Sequence, residues 1–226
     1  MLLMVTVLIP RMLRGVLIVA ALVVALAPGT CRAQAALADE GLIVALGDSL
    51  TAGLGLDERD AWPAQLERRL RAAGFRWKVI NAGISGETSS GARARLDWVL
   101  KLKPDIMVLE TGANDGMRGI PPQVLRANLD AMLTSLGENR VTAVLAGMQM
   151  LLNMGPSYTT AFARVYPELA QKHNAVLIPF FLEGVAANPA LNQADGIHPT
   201  AEGYRLITDL VYPRVLEAVA RVRALR

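Results

Sequence analysis

Short apolar segments alternate with longer segments of helical periodicity along residues 42–226. The apolar segments are continuous, which is typical of strands that are buried on both faces of a sheet. The predicted strands are Leu42–Leu46, Trp77–Ala82, Asp105–Glu110, Val141–Met150 and Ala175–Pro179. The predicted helices are Glu58–Ala73, Ser90–Leu102, Pro121–Leu136, Thr160–His173 and Pro199–Arg226. We expect Pro213 to kink or divide the last helix.

This order of elements predicts a single α/β domain, with a parallel five-stranded sheet that helices cover on both faces. In such sheets, ligands bind beyond the carboxyl ends of the strands. Polar, glycine-rich segments lie at those positions and are therefore the candidate site-forming loops. They are Gly47–Gly55, Gly83–Gly91, Gly112–Gly119 and Asn188–Thr200.

The first 35 residues have the layout of a secretory signal peptide. Arg11 and Arg14 precede the uncharged, mostly apolar segment Gly15–Ala27, and a small-residue cleavage sequence ends at Ala35. We predict cleavage after Ala35, so that residues 36–226 form the mature domain in the periplasm or outside the cell.

Three alternatives for this leader remain open. An uncleaved membrane anchor is one, although Gly15–Ala27 is shorter than the ~20 apolar residues that a spanning helix needs. A lipoprotein modified at Cys31 is another, although the residues before Cys31 match a lipobox poorly. The true start could also be Met12, which would begin a well-formed signal of its own.

The charge of the chain changes when the leader is removed. All 20 acidic residues follow residue 35, whereas three of the 23 lysines and arginines precede residue 36. The mature domain is therefore formally neutral, and it has no basic stripe that would favour nucleic acid. Cys31, the only cysteine, also leaves with the leader, which excludes a disulfide. We expect no nucleic-acid partner, no membrane anchor after cleavage and a monomer.

A serine, a histidine and an aspartate supply the candidate chemistry. Ser49 follows the first strand, and a base must take its proton before it can act as a nucleophile. His198 can be that base, and Asp195, three residues earlier, can hold its other ring nitrogen. Taken singly, Ser49 fits a turn and Asp195 a helix cap. His173, at a helix end, is expected to be structural, and the histidine spacing predicts no metal site.

Acyl transfer also needs donors for the negative charge that develops on the carbonyl oxygen, each worth ~3 kcal/mol. The candidates are the backbone N–H of Ser49, the backbone N–H of Gly86 and the side-chain amide of Asn114. A glycine lets a substrate approach the backbone closely. The plain alternatives are a loop glycine at Gly86 and a hydrogen-bonded turn at Asn114.

Taken together, these motifs form an ordered series of blocks. They are Gly47–Gly53, Ala61–Pro63, Ile84–Thr88, Gly112–Gly116 and Asp195–Pro199. This series resembles the GDSL (SGNH) hydrolase family, and within it the bacterial thioesterase, lysophospholipase and arylesterase group. The resemblance extends from about Leu42 to Tyr204. GDSL alone is a modest signal, but all the blocks in order are specific.

The resemblance implies a flavodoxin-like three-layer domain with strand order 2-1-3-4-5, no cofactor, and hydrolysis through an acyl-enzyme. It implies Ser49 as the nucleophile, with His198 acting first as base and then as acid. It also places the oxyanion glycine at Gly86 rather than Gly83. Ser85 is not a rival nucleophile, because its flanking glycines do not have the G-x-S-x-G spacing of a nucleophile elbow.

The substrate side of the site is less defined by the sequence. Met117 and Ile120 follow Asn114 on a glycine-flanked loop and are expected to contact an acyl chain, as is Leu152. Residues 148–154 are rich in methionine and either line an acyl groove or pack in the core. The family often has Leu-Pro here, and this chain departs from it. We expect a small-molecule acyl ester or thioester substrate; a carbohydrate-ester deacetylase and a non-catalytic acyl-binding protein are the alternatives.

Overall fold

Five parallel strands form one sheet in the order β2-β1-β3-β4-β5, which confirms the predicted α/β class and strand order. The strands are β1 Gly41–Gly47, β2 Trp77–Gly83, β3 Ile106–Glu110, β4 Thr142–Ala146 and β5 Val176–Ile178. The computed structural model describes residues 39–150 and 152–226. The predicted signal peptide, residues 1–35, lies outside the described residues.

The helices follow the predicted order with some corrections. They are α1 Ser49–Ala52, α2 Trp62–Ala72, α3 Ser89–Leu100, α4 Ala113–Met117, α5 Pro122–Glu138, α6 Pro156–Lys172 and α7 Ala201–Ala224. The short helices α1 and α4 were not predicted. Of the two effects predicted for Pro213, a kink or a division, the division is wrong, because α7 continues through this residue. Strand β4 ends at Ala146 rather than at Met150.

The strand order determines how the helices are distributed. The connection from β1 to β2 runs in one direction across the sheet, and the later connections run in the other. Because such crossovers are right-handed, they place α2 on one face and α3, α5 and α6 on the opposite face. Helix α7 packs against α2, and α5 packs between α3 and α6. The direction changes between β1 and β3, so a crevice is expected at the carboxyl ends of these two strands.

The carboxyl ends of three strands are level at this crevice. Gly47 of β1 pairs with Gly83 of β2 and with Glu110 of β3. The loops that follow these strands therefore begin side by side, on a sheet whose central strands are buried. Within residues 39–150 and 152–226, no helix is long and apolar enough to cross a membrane.

Candidate active site

The turn after β1 presents Ser49 at the start of α1. Asp48 caps this helix, because its carboxylate accepts a hydrogen bond from the backbone N–H of Leu50 at 2.9 Å. Gly47 is required by close packing, since a Cβ there would lie 2.2 Å from Thr51 Oγ1 and 2.4 Å from the Glu110 carbonyl oxygen. The sequence Gly-Asp-Ser thus combines a close backbone approach, a helix cap and the Ser49 hydroxyl in three residues.

The hydroxyl of Ser49 meets His198, which lies in the loop before α7. The distance from Ser49 Oγ to His198 Nε2 is 2.8 Å, and the distance from His198 Nδ1 to Asp195 Oδ2 is 2.6 Å. These three side chains, which lie up to 149 positions apart in the sequence, form one hydrogen-bonded chain. This is the arrangement in which a histidine can remove a serine proton.

The loop also keeps Asp195 ionised. Its Oδ1 accepts hydrogen bonds from the backbone N–H groups of Ile197 and His198, at 2.9 and 3.0 Å. These bonds, together with the side-chain contact to His198, lower the pKa of Asp195 to about 2. The carboxylate therefore stays charged at neutral pH and is positioned to orient the imidazole ring.

Asn114 lies on α4, next to the nucleophile turn. Its Nδ2 donates to Asp48 Oδ2 at 3.1 Å, so the cap of α1 also positions this amide. Gly112 precedes α4 with a φ of +116°, and a Cβ there would lie 2.2 Å from the Tyr166 hydroxyl oxygen. A glycine at this position is therefore needed to turn the chain out of β3 and into α4.

Gly86 lies in the loop after β2. Its φ is +80°, and its carbonyl oxygen accepts a hydrogen bond from Arg118 Nη2 at 2.8 Å. The same loop is tied to the sheet by Arg95, which binds both carboxylate oxygens of Glu87 at 2.6 and 2.7 Å and the Ala82 carbonyl at 2.8 Å. The loop that carries Gly86 is thus held by contacts on both of its sides.

Asp115 connects the loops of Gly86 and Asn114. It is fully buried, and its carboxylate accepts a hydrogen bond from the Ser89 backbone N–H at 2.7 Å and another from the Ser89 hydroxyl. Asn128 of α5 donates to the same hydroxyl at 3.0 Å. Because Ser89 is the first residue of α3, this contact caps α3 and joins it to α4.

The sequence model of the GDSL-like lipase/acylhydrolase family matches residues 45–206, which include every residue of this constellation. The chain belongs to this family. The resemblance that the sequence blocks indicated is therefore confirmed, and the protein is a hydrolase of the GDSL esterase type.

Curated relatives align with this chain over most of their length. Esterase TesA of Pseudomonas aeruginosa is 42% identical over 76% of this chain and 86% of its own. The arylesterase of Vibrio mimicus is 38% identical over 80% and 90% of the two chains. The thioesterase 1/protease 1/lysophospholipase L1 of Escherichia coli K12 is 38% identical over 78% and 83%. The crystal structure of TesA matches with a TM-score of 0.76, over 78% of this chain and 99% of that one.

The predicted acyl-contacting residues of this GDSL esterase lie in different environments. Met117 is 52% exposed, and Ile120 is partly buried. The side chain of Leu152 lies outside the described residues. In the methionine-rich segment, Met148 belongs to the hydrophobic core, whereas Met150 packs directly against Gly116 beside the Asn114 loop. The segment is therefore partly core and partly a wall behind α4.

The other histidine is remote from this constellation. His173 caps the end of α6, and its Nε2 lies 2.5 Å from Asp130 Oδ1. Lys172 donates to the same carboxylate at 2.7 and 2.8 Å. These contacts agree with the structural role expected for His173.

Two acidic residues next to the site were not singled out from the sequence. Asp48 and Glu110 are both fully buried, and burial is the largest cause that raises the pKa of each carboxyl group. A signal for Glu110 was available, because it is an ionisable residue at the end of an otherwise apolar strand. No group of three or more histidine, cysteine, aspartate or glutamate residues in the described part of the chain could hold a metal ion.

Proposed function

We propose that this esterase hydrolyses acyl esters and thioesters through a covalent acyl-enzyme on Ser49. The observation that carries the proposal is the chain of contacts from Ser49 Oγ to His198 Nε2, at 2.8 Å, and from His198 Nδ1 to Asp195, at 2.6 Å. Relatives named as an arylesterase and as a thioesterase/lysophospholipase support both substrate classes.

The reaction would proceed in two balanced steps. Ser49 Oγ attacks the carbonyl carbon while His198 takes the hydroxyl proton, and the C–O or C–S bond then breaks as His198 gives that proton to the leaving group. A water molecule next attacks the acyl carbon and passes a proton to His198. The bond between the acyl carbon and Ser49 Oγ then breaks as His198 returns that proton to Oγ, which releases the acid and restores Ser49. Asp195 stabilises the imidazolium in both steps.

Three donors would stabilise the oxyanion. An amide nitrogen carries two N–H groups, and Asp48 binds only one from Asn114, so the second is available to a substrate. Ser49 is the first residue of α1, and N–H groups at a helix start lack partners within the helix. The N–H of Gly86 would be the third donor. Loss of one such donor costs roughly 100- to 1000-fold in kcat.

The direct test is hydrolysis of p-nitrophenyl esters with acyl chains from C2 to C16, and of acyl-CoA thioesters. The Ser49→Ala variant should lose kcat by a factor on the order of 10⁶. The wild-type enzyme should also release a burst of p-nitrophenol if deacylation is the slow step. Ser85→Ala is a matched control on the neighbouring loop and should retain turnover. Undiminished turnover in Ser49→Ala would overturn the mechanism.

The apolar rim of the site supports an acyl substrate. The rim consists of Leu54, Ile84, Met117 and Ile197, each between 44% and 52% exposed, on four segments that carry site residues. Two of these residues are hydrogen-bonded to site residues through their backbone. The N–H of Leu54 donates to the Ser49 carbonyl oxygen, and the N–H of Ile197 donates to the Asp195 carboxylate. We propose that Met117, with Ile120 and Leu152, contacts the acyl chain.

Substitution Met117→Ser tests this contact. Burying one such side chain contributes about 1.5–3 kcal/mol, so kcat/KM for long-chain esters should fall roughly 10- to 100-fold while that for acetyl esters changes little. The control is Leu102→Ser, which changes a similarly exposed residue just before β3, at the opposite end of the sheet. Equal losses on both ester lengths would contradict an acyl-chain contact.

We further propose that residues 1–35 are a cleaved leader, and that residues 36–226 act as a monomer in the periplasm or outside the cell. The layout of Arg11, Arg14 and Gly15–Ala27 supports the leader. N-terminal sequencing of protein expressed with its own leader should find Ala36 first, and light scattering should give the mass of one chain. An intact leader on cytoplasmic protein would contradict this proposal.

A further inference from the structure

Glu110 is a buried titratable side chain that the proposed mechanism does not use. Its Oε2 accepts a hydrogen bond from the Thr51 hydroxyl at 2.7 Å and a longer one from the Asp48 backbone N–H at 3.4 Å. Its Oε1 has no hydrogen-bond partner among the described residues. Glu110 therefore contacts the nucleophile turn on both sides of Ser49 in the sequence.

The fit between Glu110 and the turn is close. A Cβ added at Gly47 would lie 2.6 Å from Glu110 Oε2 and 2.2 Å from Thr51 Oγ1. The two side chains thus fill the space that any side chain at position 47 would need. A displacement of the Glu110 carboxyl would be transmitted to α1, because Thr51 belongs to that helix.

The charges at this contact favour one proton shared by two carboxyl groups. Asp48 accepts hydrogen bonds from the Leu50 N–H and the Asn114 amide, and such bonds favour its ionised form. One oxygen of Glu110 has no hydrogen-bond partner in the described part of the chain. Burial and the negative charge of Asp48 raise the pKa of Glu110 well above its usual range. Two adjacent buried carboxylates cannot both be ionised without a large cost.

Among the described residues, no cation is a direct partner of the Glu110 carboxyl group; Arg95 contacts the carbonyl oxygen of the adjacent Gly47, at 3.3 Å, but not this carboxyl group. Tyr166 on α6 and Tyr204 on α7 face it, and both are neutral phenols whose pKa is raised by burial. On the neighbouring Asp48, His198 lowers the pKa of the carboxyl group and Glu87 raises it. The neutral form of Glu110 is therefore the form that fits this environment.

We propose that Glu110 is a positioning residue that works in its protonated form, donating to the Asp48 carboxylate while accepting from Thr51. In this way it fixes the turn that aims Ser49 at His198. The inference rests on the proposed role of Ser49 as nucleophile. An ionised Glu110 would place a second negative charge against Asp48 and loosen the turn.

The pH dependence of stability tests the neutral form. In the unfolded chain Glu110 titrates near its ordinary pKa of 4.5, whereas the folded protein keeps the proton to higher pH. The stability linked to Glu110 is thus present below that value and is lost as the pH rises toward the folded pKa. Glu110→Gln does not titrate, so its Tm relative to wild type should increase between about pH 5 and pH 8.

The matched control is Glu138→Gln, which makes the same change at the exposed end of α5. Its Tm difference from wild type should stay constant over the same pH range. A constant difference for Glu110→Gln as well would overturn the proposal. The Tm measurement needs no turnover, so its result does not depend on the role of Ser49. The Ser49→Ala assay tests that role separately.

The activity of three variants tests the positioning role. Glu110→Leu removes both the acceptor and the donor, and should lower kcat roughly 10- to 100-fold with little change in KM for a short soluble ester. Glu110→Gln, which restores both, should return kcat close to the wild-type value. If Glu110→Leu fails to fold, Thr51→Val removes one contact and should still lower kcat. Equal losses in the Gln and Leu variants, or wild-type kcat in Thr51→Val, would overturn the proposal.

Discussion

Asp195 and Asp48 both lie near the nucleophile, yet their environments shift the pKa values of their carboxyl groups in opposite directions. The Asp195 side chain is 45% exposed, and hydrogen bonds lower its pKa to about 2. Asp48 is fully buried, and burial raises its pKa although it accepts hydrogen bonds from Leu50 and Asn114. Exposure therefore decides whether hydrogen bonding or desolvation determines the charge of each carboxyl group.

This contrast indicates two different uses of one residue type. An exposed carboxylate beside His198 stays charged and can stabilise an imidazolium throughout a reaction. A buried carboxyl that shares a proton with Glu110 instead holds geometry, because any movement would expose or separate the pair. Replacing individual aspartates by asparagine, which keeps the shape and removes the charge, separates these uses.

The largest effect is expected for Asp195→Asn. The amide can still contact His198, but its NH₂ group favours the wrong ring tautomer, so kcat should fall by about 10⁴-fold. The folded state should change little, since the side chain is largely exposed. Steady-state kinetics on a short p-nitrophenyl ester, with Tm as the control, measure both. A loss below about tenfold would mean that the charge next to His198 is not needed.

A smaller loss is expected for Asp48→Asn. One oxygen can still cap α1 through Leu50, but the new NH₂ group then faces the amide of Asn114 and cannot accept from it. The resulting displacement of Asn114 should lower kcat by about 100-fold. The substitution also removes the negative charge that Glu110 faces. The variant should therefore show a flatter loss of Tm with rising pH than wild type. An unchanged kcat would show that Asn114 is positioned without Asp48.

The sheet was predictable from the sequence because its central strands, β1 and β3, are nearly continuous apolar segments that the structure buries. The short helices α1 and α4 were not, since four or five residues are too few to show a helical period. The predicted extension of β4 to Met150 is wrong because an apolar pattern does not show where a strand ends. The apolar residues Met148 and Met150 pack into the core and against Gly116 instead of continuing the strand.

The side chains that approach Ser49 were predictable in type, but their supporting contacts were not. Ser49, Asp195 and His198 belong to recognisable blocks, and the structure brings them together. The contact of Asp48 with Glu110 spans 62 positions and exists because β1 and β3 are neighbours in the sheet. Such a pairing requires the strand register, which patterns of apolar residues do not supply.

A loss of stability rather than of chemistry is expected for Asp115→Asn. The carboxylate accepts from the backbone N–H and the hydroxyl of Ser89, and an amide can accept only one of these bonds. The buried donor left without a partner should cost about 1–3 kcal/mol of unfolding free energy. Urea denaturation measures this cost, and kcat at a permissive temperature should fall by less than in Asp48→Asn. A stability equal to wild type would contradict the capping role.

The smallest effect is expected for Asp130→Asn, which removes the charge from a histidine–carboxylate contact about as short as that of Asp195. Asp130 lies beside His173 and Lys172 on the partly exposed surface of α5 and α6, where an ion pair contributes roughly 0–1 kcal/mol. The kcat should equal that of wild type, and the urea midpoint should shift only slightly. Since Asp130→Asn and Asp195→Asn make the same chemical change beside a histidine, the ratio of their kcat values isolates what proximity to Ser49 contributes. A large loss of kcat in Asp130→Asn would mean that a histidine–carboxylate contact away from Ser49 affects turnover through overall stability. The loss in Asp195→Asn could then not be assigned to its contact with His198.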